Sequence, residues 1–186
     1  MLAGGRSSRM GRDKALLPYR GGPLIESVAR AVERAAGSAV LVGSPSRHGN
    51  LGFPVLPDIY PGEGPLGGIL TALQHANSSH TQSDWNLIVA CDMPELDAAF
   101  LRGLVDAAAQ SGADALVPRG PSGLLEPLCA VYHRRSRQAL YAAFAGGIRK
   151  VTAAFEGLRI ALWSASECQS LHNVNTPEDW AAYAGK

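Results

Sequence analysis

Residues 1–14 read Met1-Leu-Ala-Gly-Gly-Arg-Ser-Ser-Arg-Met-Gly-Arg-Asp-Lys14, a short apolar lead followed by two glycines and a basic stretch. Adjacent glycines let the backbone approach a ligand closely and adopt positive φ without strain. Successive backbone N–H groups in such a turn form an anion-binding concavity. Arginine and lysine side chains add donors for phosphate oxygens. The segment therefore predicts a polyphosphate-binding loop, with Gly4, Gly5, Arg9 and Lys14 as candidate contacts.

Two common phosphate-binding motifs are absent from this segment. A Walker loop requires G-x-x-x-x-G-K-[ST], but the spacing from Gly5 to Gly11 is wrong and Ala15 follows Lys14. The G-x-G-x-x-G fingerprint of dinucleotide-binding folds is also missing. A solvated basic turn is the alternative interpretation, which the order of the residues disfavours.

The segment resembles the signature L-A-G-G-x-S-x-R-M-G-x-D-K of molybdenum cofactor guanylyltransferases, members of the nucleotidyltransferase superfamily. Two later segments carry the same resemblance. Cys91-Asp-Met-Pro-Glu-Leu96 is similar to the family's D-M-P-x-L motif, and Asn173-Val-Asn-Thr-Pro-Glu-Asp179 to its N-V-N-T-P-E-D tail. The resemblance implies an enzyme that transfers GMP from GTP to molybdenum-molybdopterin and releases pyrophosphate.

Composition is that of a globular protein in the cytoplasm. The chain has 186 residues, of which 46% are hydrophobic and 18% charged, so we expect one domain over residues 1–186 and no extensive disorder. A net charge of +1 argues against nucleic-acid and membrane partners. Three widely spaced cysteines suit reduced thiols, and the sequence contains neither an apolar run of transmembrane length nor a signal peptide.

Short β-type runs alternate with amphipathic stretches along the chain. The predicted strands are 39–43, 54–57, 86–90, 114–118, 128–132 and 159–163; the predicted helices lie within 23–37, 66–73, 97–112, 135–145 and from 176 onward. This alternation predicts a three-layer α/β fold with a mostly parallel central sheet flanked by helices. The resemblance makes it a Rossmann-like nucleotidyltransferase fold.

The strand that leads into Gly4 would contain only Met1 and Leu2, whereas a usual strand has roughly five or six residues. Members of the family begin this strand several residues earlier. We therefore expect the first strand to be truncated here, with further apolar residues upstream of Met1 in the natural gene.

Asp92 directly follows the continuously apolar run Leu87–Ala90, and Pro94 prevents the strand from continuing. Ligands of open parallel sheets bind beyond the carboxyl ends of the strands, and a carboxylate there suits Mg²⁺. A simple strand-terminating turn is the alternative. The resemblance implies that Asp92 binds magnesium, with Asn175 as a candidate second ligand. Asn173 lies on the same face of the extended tail, and either asparagine could instead contact the pterin.

The resemblance also implies a nucleotide site. Asp58 and a G-P-L-x-G loop that begins at Gly64 lie near the nucleotide in relatives, although a plain turn-rich loop is the alternative. Leu2 and Ala3, beside Gly4, would read the guanine edge. Some relatives have an asparagine at Gly43 that contacts guanosine; here the backbone or Ser44 would replace it.

Residues 126–128 and 149–151 resemble the family's acceptor-side strand and its basic loop. The resemblance therefore makes Glu126, Arg149 and Lys150, together with Asn173, candidate contacts to the phosphorylated pterin, with exposed charged turns as the alternative. The five histidines are scattered, and we interpret each as a surface residue and not as a base. No Ser-His-Asp or Cys-His set predicts a nucleophile.

Two other functions remain open. The nearer is a sister transferase, which moves CMP to the same pterin or a nucleotide to a sugar phosphate. Relatives that transfer CMP typically have alanines where Gly4 or its neighbour stands, so this sequence favours guanine. The farther is a non-catalytic nucleotide-binding module. If the chain is a guanylyltransferase, GTP and molybdopterin are its substrates, Mg²⁺ its cofactor, and cofactor-delivery or molybdoenzyme-maturation proteins its candidate partners.

Overall fold

The computed structural model describes residues 1–3, 14–78, 83–120, 122–164, 171–174, 176–181 and 183. Its strands are β1 (Pro18–Tyr19), β2 (Gly22–Pro23), β3 (Leu41–Val42), β4 (Val55–Leu56), β5 (Trp85–Val89), β6 (Ala115–Arg119), β7 (Cys129–His133) and β8 (Ile160–Ser164). Its α-helices are α1 (Leu24–Ala36), α2 (Pro45–His48), α3 (Pro65–Ser78), α4 (Ala98–Ser111), α5 (Ser136–Ala145) and α6 (Pro177–Ala181). Short 3-10 helices cover Lys14–Leu16 and Val151–Phe155. Each strand and helix predicted from the sequence overlaps one of these elements.

The segment 1–3 lies between β3 and β5 and joins them into one sheet. Leu2 is bridged in parallel to both Val42 and Ala90. The N–H of Leu2 donates to the carbonyl of Val89 at 2.8 Å, and that of Ala3 donates to the carbonyl of Val42 at 2.9 Å. With the other pairings, the strand order is β4, β3, segment 1–3, β5, β7, β6, β8. That further strand residues precede Met1 stays a prediction.

The central sheet is mixed, because one strand, β7, runs against its neighbours. β7 runs antiparallel to both of its neighbours, β5 and β6, whereas β6 and β8 are parallel. Only residues 120–128 separate β6 from β7, without an intervening helix. A parallel pair needs a crossover of a dozen or more residues, so this short connection reverses the chain direction.

Side chains alternate between two core clusters, one on each face of the sheet. The first contains Val89, Leu116, Cys129 and Val131 with residues of α1 and α4; the second contains Ile88, Ala115, Val117, Ala130 and Tyr132 with residues of α3 and α5. Since successive residues of a strand face opposite sides, each buried strand supplies both clusters. The result is the three-layer arrangement that the sequence predicted.

Two local features shape the ends of these elements. Asp97 caps α4 by accepting a hydrogen bond from the N–H of Phe100 at 2.8 Å. The turn between β1 and β2 places Arg20 and Gly21 at φ of 50° and 83°. Two consecutive positive φ angles are typical of the two-residue hairpin turn whose twist matches its strands.

No helix within the described part of the chain is long and apolar enough to span a membrane.

Asp114 fastens the starts of β6 and β8 to the end of β7. Its carboxylate accepts a hydrogen bond from the N–H of Arg159 at 2.9 Å and pairs with the guanidinium groups of Arg135 and Arg159. The backbone N–H of Arg159 and the side chain of Arg135 hold the pKa of Asp114 well below its usual range. This carboxylate therefore stabilises the fold at the end of the sheet that lies opposite to the carboxyl end of β5.

Candidate functional site

Three segments that are distant in sequence meet at the carboxyl end of β5. Lys14 begins the first 3-10 helix, Asp92 follows β5, and Val174 belongs to the tail motif. The N–H of Val174 donates to the carbonyl oxygen of Asp92 at 2.8 Å. The Nζ of Lys14 donates to the carbonyl oxygen of Val174 at 3.1 Å. One residue of each predicted motif thus lies in a continuous hydrogen-bonded junction, which we call the Lys14–Val174–Asp92 junction.

The carboxylate of Asp92 is the electrostatic centre of this junction. Its Oδ1 atom is buried and has no hydrogen-bond partner among the described residues. Burial raises the pKa of Asp92, and the positive charge of Lys14 opposes that rise. A buried carboxylate oxygen without a donor is unfavourable unless a cation compensates it. Lys14 supplies only part of that compensation.

A divalent cation fits the oxygen of Asp92 that lacks a donor. Hard cations such as Mg²⁺ bind carboxylate and amide oxygens, and Mg²⁺ commonly uses one or two carboxylates together with water and substrate phosphates. Within the described ranges no group of three or more His, Cys, Asp or Glu side chains is arranged to hold a metal. The carboxylate of Asp92 suits a metal that water and substrate phosphates also bind.

Glu126 and Asn173 border the same site. The Nδ2 of Asn173 donates to Oε2 of Glu126 at 3.4 Å. Burial raises the pKa of Glu126, the hydrogen bond from Asn173 lowers it, and the charge of Asp92 raises it further. Asn173 precedes Val174, whose N–H donates to Asp92, so the hydrogen-bonded pair of Asn173 and Glu126 adjoins the junction. The long hydrogen bond also orients the amide of Asn173, with its nitrogen toward Glu126.

The nucleotide-side residues 2, 3 and 43 lie in the sheet. Because the N–H groups of Leu2 and Ala3 already donate within the sheet, any contact of these residues with a base would use other atoms. A Cβ added at Gly43 would lie 3.2 Å from Cβ of Ala3 and 3.1 Å from Nδ1 of His48. This packing leaves little room for a side chain at Gly43, which explains why glycine fits there.

Asp58 and Gly64 lie on the loop that leads into α3. Oδ1 of Asp58 accepts hydrogen bonds from the N–H of Tyr60 at 3.0 Å and from Oγ1 of Thr71 at 2.9 Å. Gly64, at φ of 81°, immediately precedes the helix. Leu66 at the start of α3 belongs to the same core cluster as Leu2. The amino-terminal end of α3 is thereby fixed beside segment 1–3, and the nucleotide contact predicted for Asp58 stays a prediction.

Arg149 connects two loops. Its guanidinium pairs with Glu63 at 2.5 Å, donates to the carbonyl of Phe144 at 2.7 Å and lies over the ring of Phe144 at 4.1 Å from the centroid. Lys150 is exposed, and its carbonyl accepts from the N–H groups of the following 3-10 helix. These contacts give Arg149 a structural role between α5 and the loop before α3. The acceptor contacts predicted for Arg149 and Lys150 remain predictions.

Several predicted residues lie outside the described part of the chain: Gly4, Gly5, Arg9 and Asn175. Sequence reasoning, in turn, missed the role of Val174. The alternation that turns Asn173 and Asn175 to one face places Val174 on the other, and the side chain is 1% exposed. The alternation does not indicate that the backbone of Val174 would bind both Lys14 and Asp92.

Comparison with known proteins gives the class of protein first. The crystal structure of molybdopterin-guanine dinucleotide biosynthesis protein A from Archaeoglobus fulgidus superimposes with a TM-score of 0.80 at 28% identity, over 98% of this chain and 94% of that one. The fold is therefore the α/β nucleotidyltransferase fold. A Mycobacterium tuberculosis protein crystallised in complex with manganese shares the fold at a TM-score of 0.68 and 17% identity, over 98% of this chain and 94% of that one.

The family follows from the sequence. Residues 1–160 match the MobA-like NTP transferase domain. A molybdenum cofactor guanylyltransferase of Xanthomonas euvesicatoria pv. vesicatoria is 36% identical over 186 residues, which cover 97% of this chain and 90% of the relative. A probable molybdenum cofactor guanylyltransferase of Deinococcus radiodurans is 33% identical over 100% of this chain and 93% of the relative. The chain belongs to the MobA-like NTP transferase family, and the resemblance inferred from its motifs is confirmed.

Proposed function

We propose that this protein transfers GMP from GTP to molybdenum-molybdopterin and so forms the molybdopterin guanine dinucleotide. The Lys14–Val174–Asp92 junction is the observation that carries the proposal. It brings a cationic side chain from the predicted polyphosphate loop to a carboxylate whose buried Oδ1 atom has no donor among the described residues. The names of the relatives, which describe guanylyl transfer, support the substrate class.

In the proposed reaction, an oxygen of the acceptor's terminal phosphate attacks the α-phosphorus of GTP. The new P–O bond forms as the bond from the α-phosphorus to the bridging oxygen breaks, and the electron pair leaves with pyrophosphate. Such transfers depend on positioning and charge stabilisation and need little covalent chemistry from the protein. Lys14, Arg9 and the backbone from Gly4 onward would stabilise the phosphates and the leaving pyrophosphate.

Asp92, assisted by Asn175, would hold the Mg²⁺ ion. When bound, Mg²⁺ supplies positive charge to the phosphate oxygens during transfer. The orphaned Oδ1 of Asp92 supports this assignment on the protein side. The positive charge of Lys14 lowers the pKa of Asp92 and so favours the ionised carboxylate against the effect of burial. The acceptor would be contacted by Glu126 and Asn173, whose hydrogen bond lies beside Asp92.

The choice of guanine would come from the first turn. Gly4 and Gly5 lack Cβ atoms and leave room for a purine over the backbone. Because the N–H groups of Leu2 and Ala3 serve the sheet, the base would be read by the groups that follow them. A buried base site rejects a wrong nucleotide by several kcal/mol when donors and acceptors are left unpaired.

Pyrophosphate release with GTP, CTP, ATP and UTP tests the proposal, each with Mg²⁺ and with or without molybdopterin. We expect release that depends on the acceptor and is fastest with GTP. A preference for CTP would assign the chain to cytidylyl transfer on the same pterin. A signal that depends on a sugar phosphate would remove the pterin as acceptor. GTP binding without turnover of any acceptor would instead indicate a non-catalytic module.

A further inference from the structure

Three aromatic side chains near the two ends of the described chain contact one another, a few residues beyond Lys14 on one side and beyond Val174 on the other. Tyr19 lies on β1 and is 2% exposed. Trp180 of α6 contacts it edge-on, with ring centroids 6.2 Å apart, and Tyr183 does so at 6.4 Å. Trp180 and Tyr183 also contact each other at 6.4 Å. We call Tyr19, Trp180 and Tyr183 the aromatic cluster.

On one side, the aromatic cluster is tied to Lys14 by a short and well-bonded stretch of chain. Lys14 begins the 3-10 helix that ends at Leu16, and Tyr19 follows it by five residues. The N–H of Leu17 donates to the carbonyl of Lys14 at 3.2 Å, and the N–H of Leu24 donates to the carbonyl of Leu17 at 2.8 Å. A shift of Tyr19 would therefore move the backbone that carries Lys14.

On the other side, the aromatic cluster is tied to Val174 through the start of α6. Thr176 and Asp179 cap this helix reciprocally: the N–H of Thr176 donates to Oδ2 of Asp179 at 2.9 Å, and the N–H of Asp179 donates to Oγ1 of Thr176 at 3.1 Å. The N–H of Trp180 donates to the carbonyl of Thr176 at 3.1 Å. Thr176 follows Val174 by two residues, so these hydrogen bonds fix the ring of Trp180 to a helix that begins next to the tail motif.

We propose that the aromatic cluster is a positioning device for the Lys14–Val174–Asp92 junction; this inference rests on the function proposed above for Lys14 and Asp92. A five-residue helix is too short to be stable alone, so packing must hold α6 in place. Lys14 is a flexible side chain, and the carbonyl of Val174 is the acceptor that fixes its ammonium. Errors of about 1 Å in the placement of a reacting group cost on the order of a hundredfold in rate.

The test compares Trp180→Ala with Trp85→Ala. Trp85 is also partly buried and contacts His133 edge-on at 4.8 Å, but it lies at the start of β5, the end of that strand opposite to Asp92. Two measurements are made on each full-length variant. The first is kcat and KM in guanylyl transfer, and the second is hydrogen exchange of the Val174 amide without substrate.

If the aromatic cluster positions the junction, Trp180→Ala lowers kcat about tenfold or more, on the scale of a misplaced reacting group. It also accelerates exchange at Val174 by a similar factor, since that amide opens locally. Trp85→Ala changes each by less than about threefold, within what a remote packing defect causes. Trp180→Phe, which keeps a ring, restores most of both. Tyr19→Phe is neutral, because the hydroxyl of Tyr19 is buried without a hydrogen-bond partner in the described part of the chain.

Wild-type exchange at Val174 in Trp180→Ala would overturn the inference, as would faster exchange with unchanged kcat. Equal effects in both tryptophan variants would do the same, because they would indicate global destabilisation. If Trp180→Ala does not fold, Trp180→Leu keeps apolar volume without the ring and takes its place. A wild-type protein that transfers no GMP would refute the proposed function, whereas the exchange comparison would still decide whether the aromatic cluster holds Val174.

Discussion

Replacing Asp92 with asparagine should separate stability from activity. The substitution keeps the shape of the side chain and the backbone carbonyl that accepts from Val174, but removes the negative charge. In the folded protein, burial of this carboxylate outweighs the attraction of Lys14 and raises its pKa. The ionised form is therefore unfavourable in the fold at neutral pH, and the same charge is what a metal would require.

The environment of Asp92 sets the expected change in turnover and the expected change in stability. Loss of the carboxylate ligand should lower Mg²⁺-dependent turnover by about a hundredfold or more, which corresponds to ~2.7 kcal/mol of transition-state stabilisation. Stability should be unchanged or rise by up to about 1 kcal/mol, which is a shift of roughly 2–4 °C in Tm for a chain of this size. The variant thus loses activity without losing its fold.

The pH dependence of stability tests whether the charge of Asp92 destabilises the folded protein. A group whose folded pKa is raised stabilises the protein below its unfolded pKa, and this contribution is lost as the pH rises through the folded pKa. The advantage of Asp92→Asn over wild type should therefore be present at pH 7, shrink as the pH falls through the raised folded pKa, and be gone below about 4, the unfolded value. Thermal unfolding at pH 7 and at a pH below about 4 measures the difference in stability. Pyrophosphate release at several Mg²⁺ concentrations measures the difference in turnover.

Asp97→Asn is the matched control, because asparagine caps a helix about as well as aspartate and Asp97 caps α4. It should leave both turnover and Tm close to wild type. An Asp92→Asn protein with near-wild-type Mg²⁺-dependent turnover would refute the assignment of Asp92 as a metal ligand. A large fall in its Tm would instead show that the charge of Asp92 is structural.

Three further predictions concern other residues. Asp114→Asn should lower the free energy of unfolding by about 1–3 kcal/mol at pH 7. Because the folded pKa of Asp114 is lowered, wild type should lose this advantage as the pH falls below about 4. Equal urea midpoints of the two proteins at pH 7 would contradict this. Arg20→Asn should raise Tm by roughly 2 °C, since asparagine tolerates the positive φ of this position. A lower Tm would show that the contact of Arg20 with the Tyr19 ring contributes more to stability than the relief of the backbone conformation. Glu126→Ala should raise KM for the acceptor about tenfold with little change in KM for GTP. Glu126→Gln, whose amide oxygen still accepts from Asn173, should recover part of the loss. A larger increase in KM for GTP than for the acceptor would remove Glu126 from the acceptor side.

Local patterns in the sequence predicted elements whose physics is local. The apolar run before Asp92 gave β5, and Asp97 with Gly112 gave the two ends of α4. Strand–helix alternation does not indicate the direction of β7, which follows from the short connection 120–128, too short for a crossover to a parallel strand. Local caps and periodicity thus predicted the elements, whereas the chain direction depended on a connection length.

The candidate site was predictable at the level of segments and not of individual contacts. The motifs identified Lys14 and Asp92, but not that Asp58 would bind Thr71 and fix a loop. Nor did they show that Arg149 would be held by Glu63. In each case a charged side chain reaches a partner on another element, and the sequence does not specify which partner the tertiary fold provides.

The junction shows why this difference matters for interpreting variants. At Lys14 and Asp92 the side chains carry charge, so neutral substitutions should change chemistry first. At Val174 the contribution comes from the backbone N–H and carbonyl, while the buried side chain holds that backbone in place. Conservative apolar substitutions at Val174 should therefore be tolerated according to volume, whereas a larger cavity there would displace the acceptor of Lys14. The same loss of phosphate stabilisation can thus arise from a charge change at Lys14 or from a packing change at Val174.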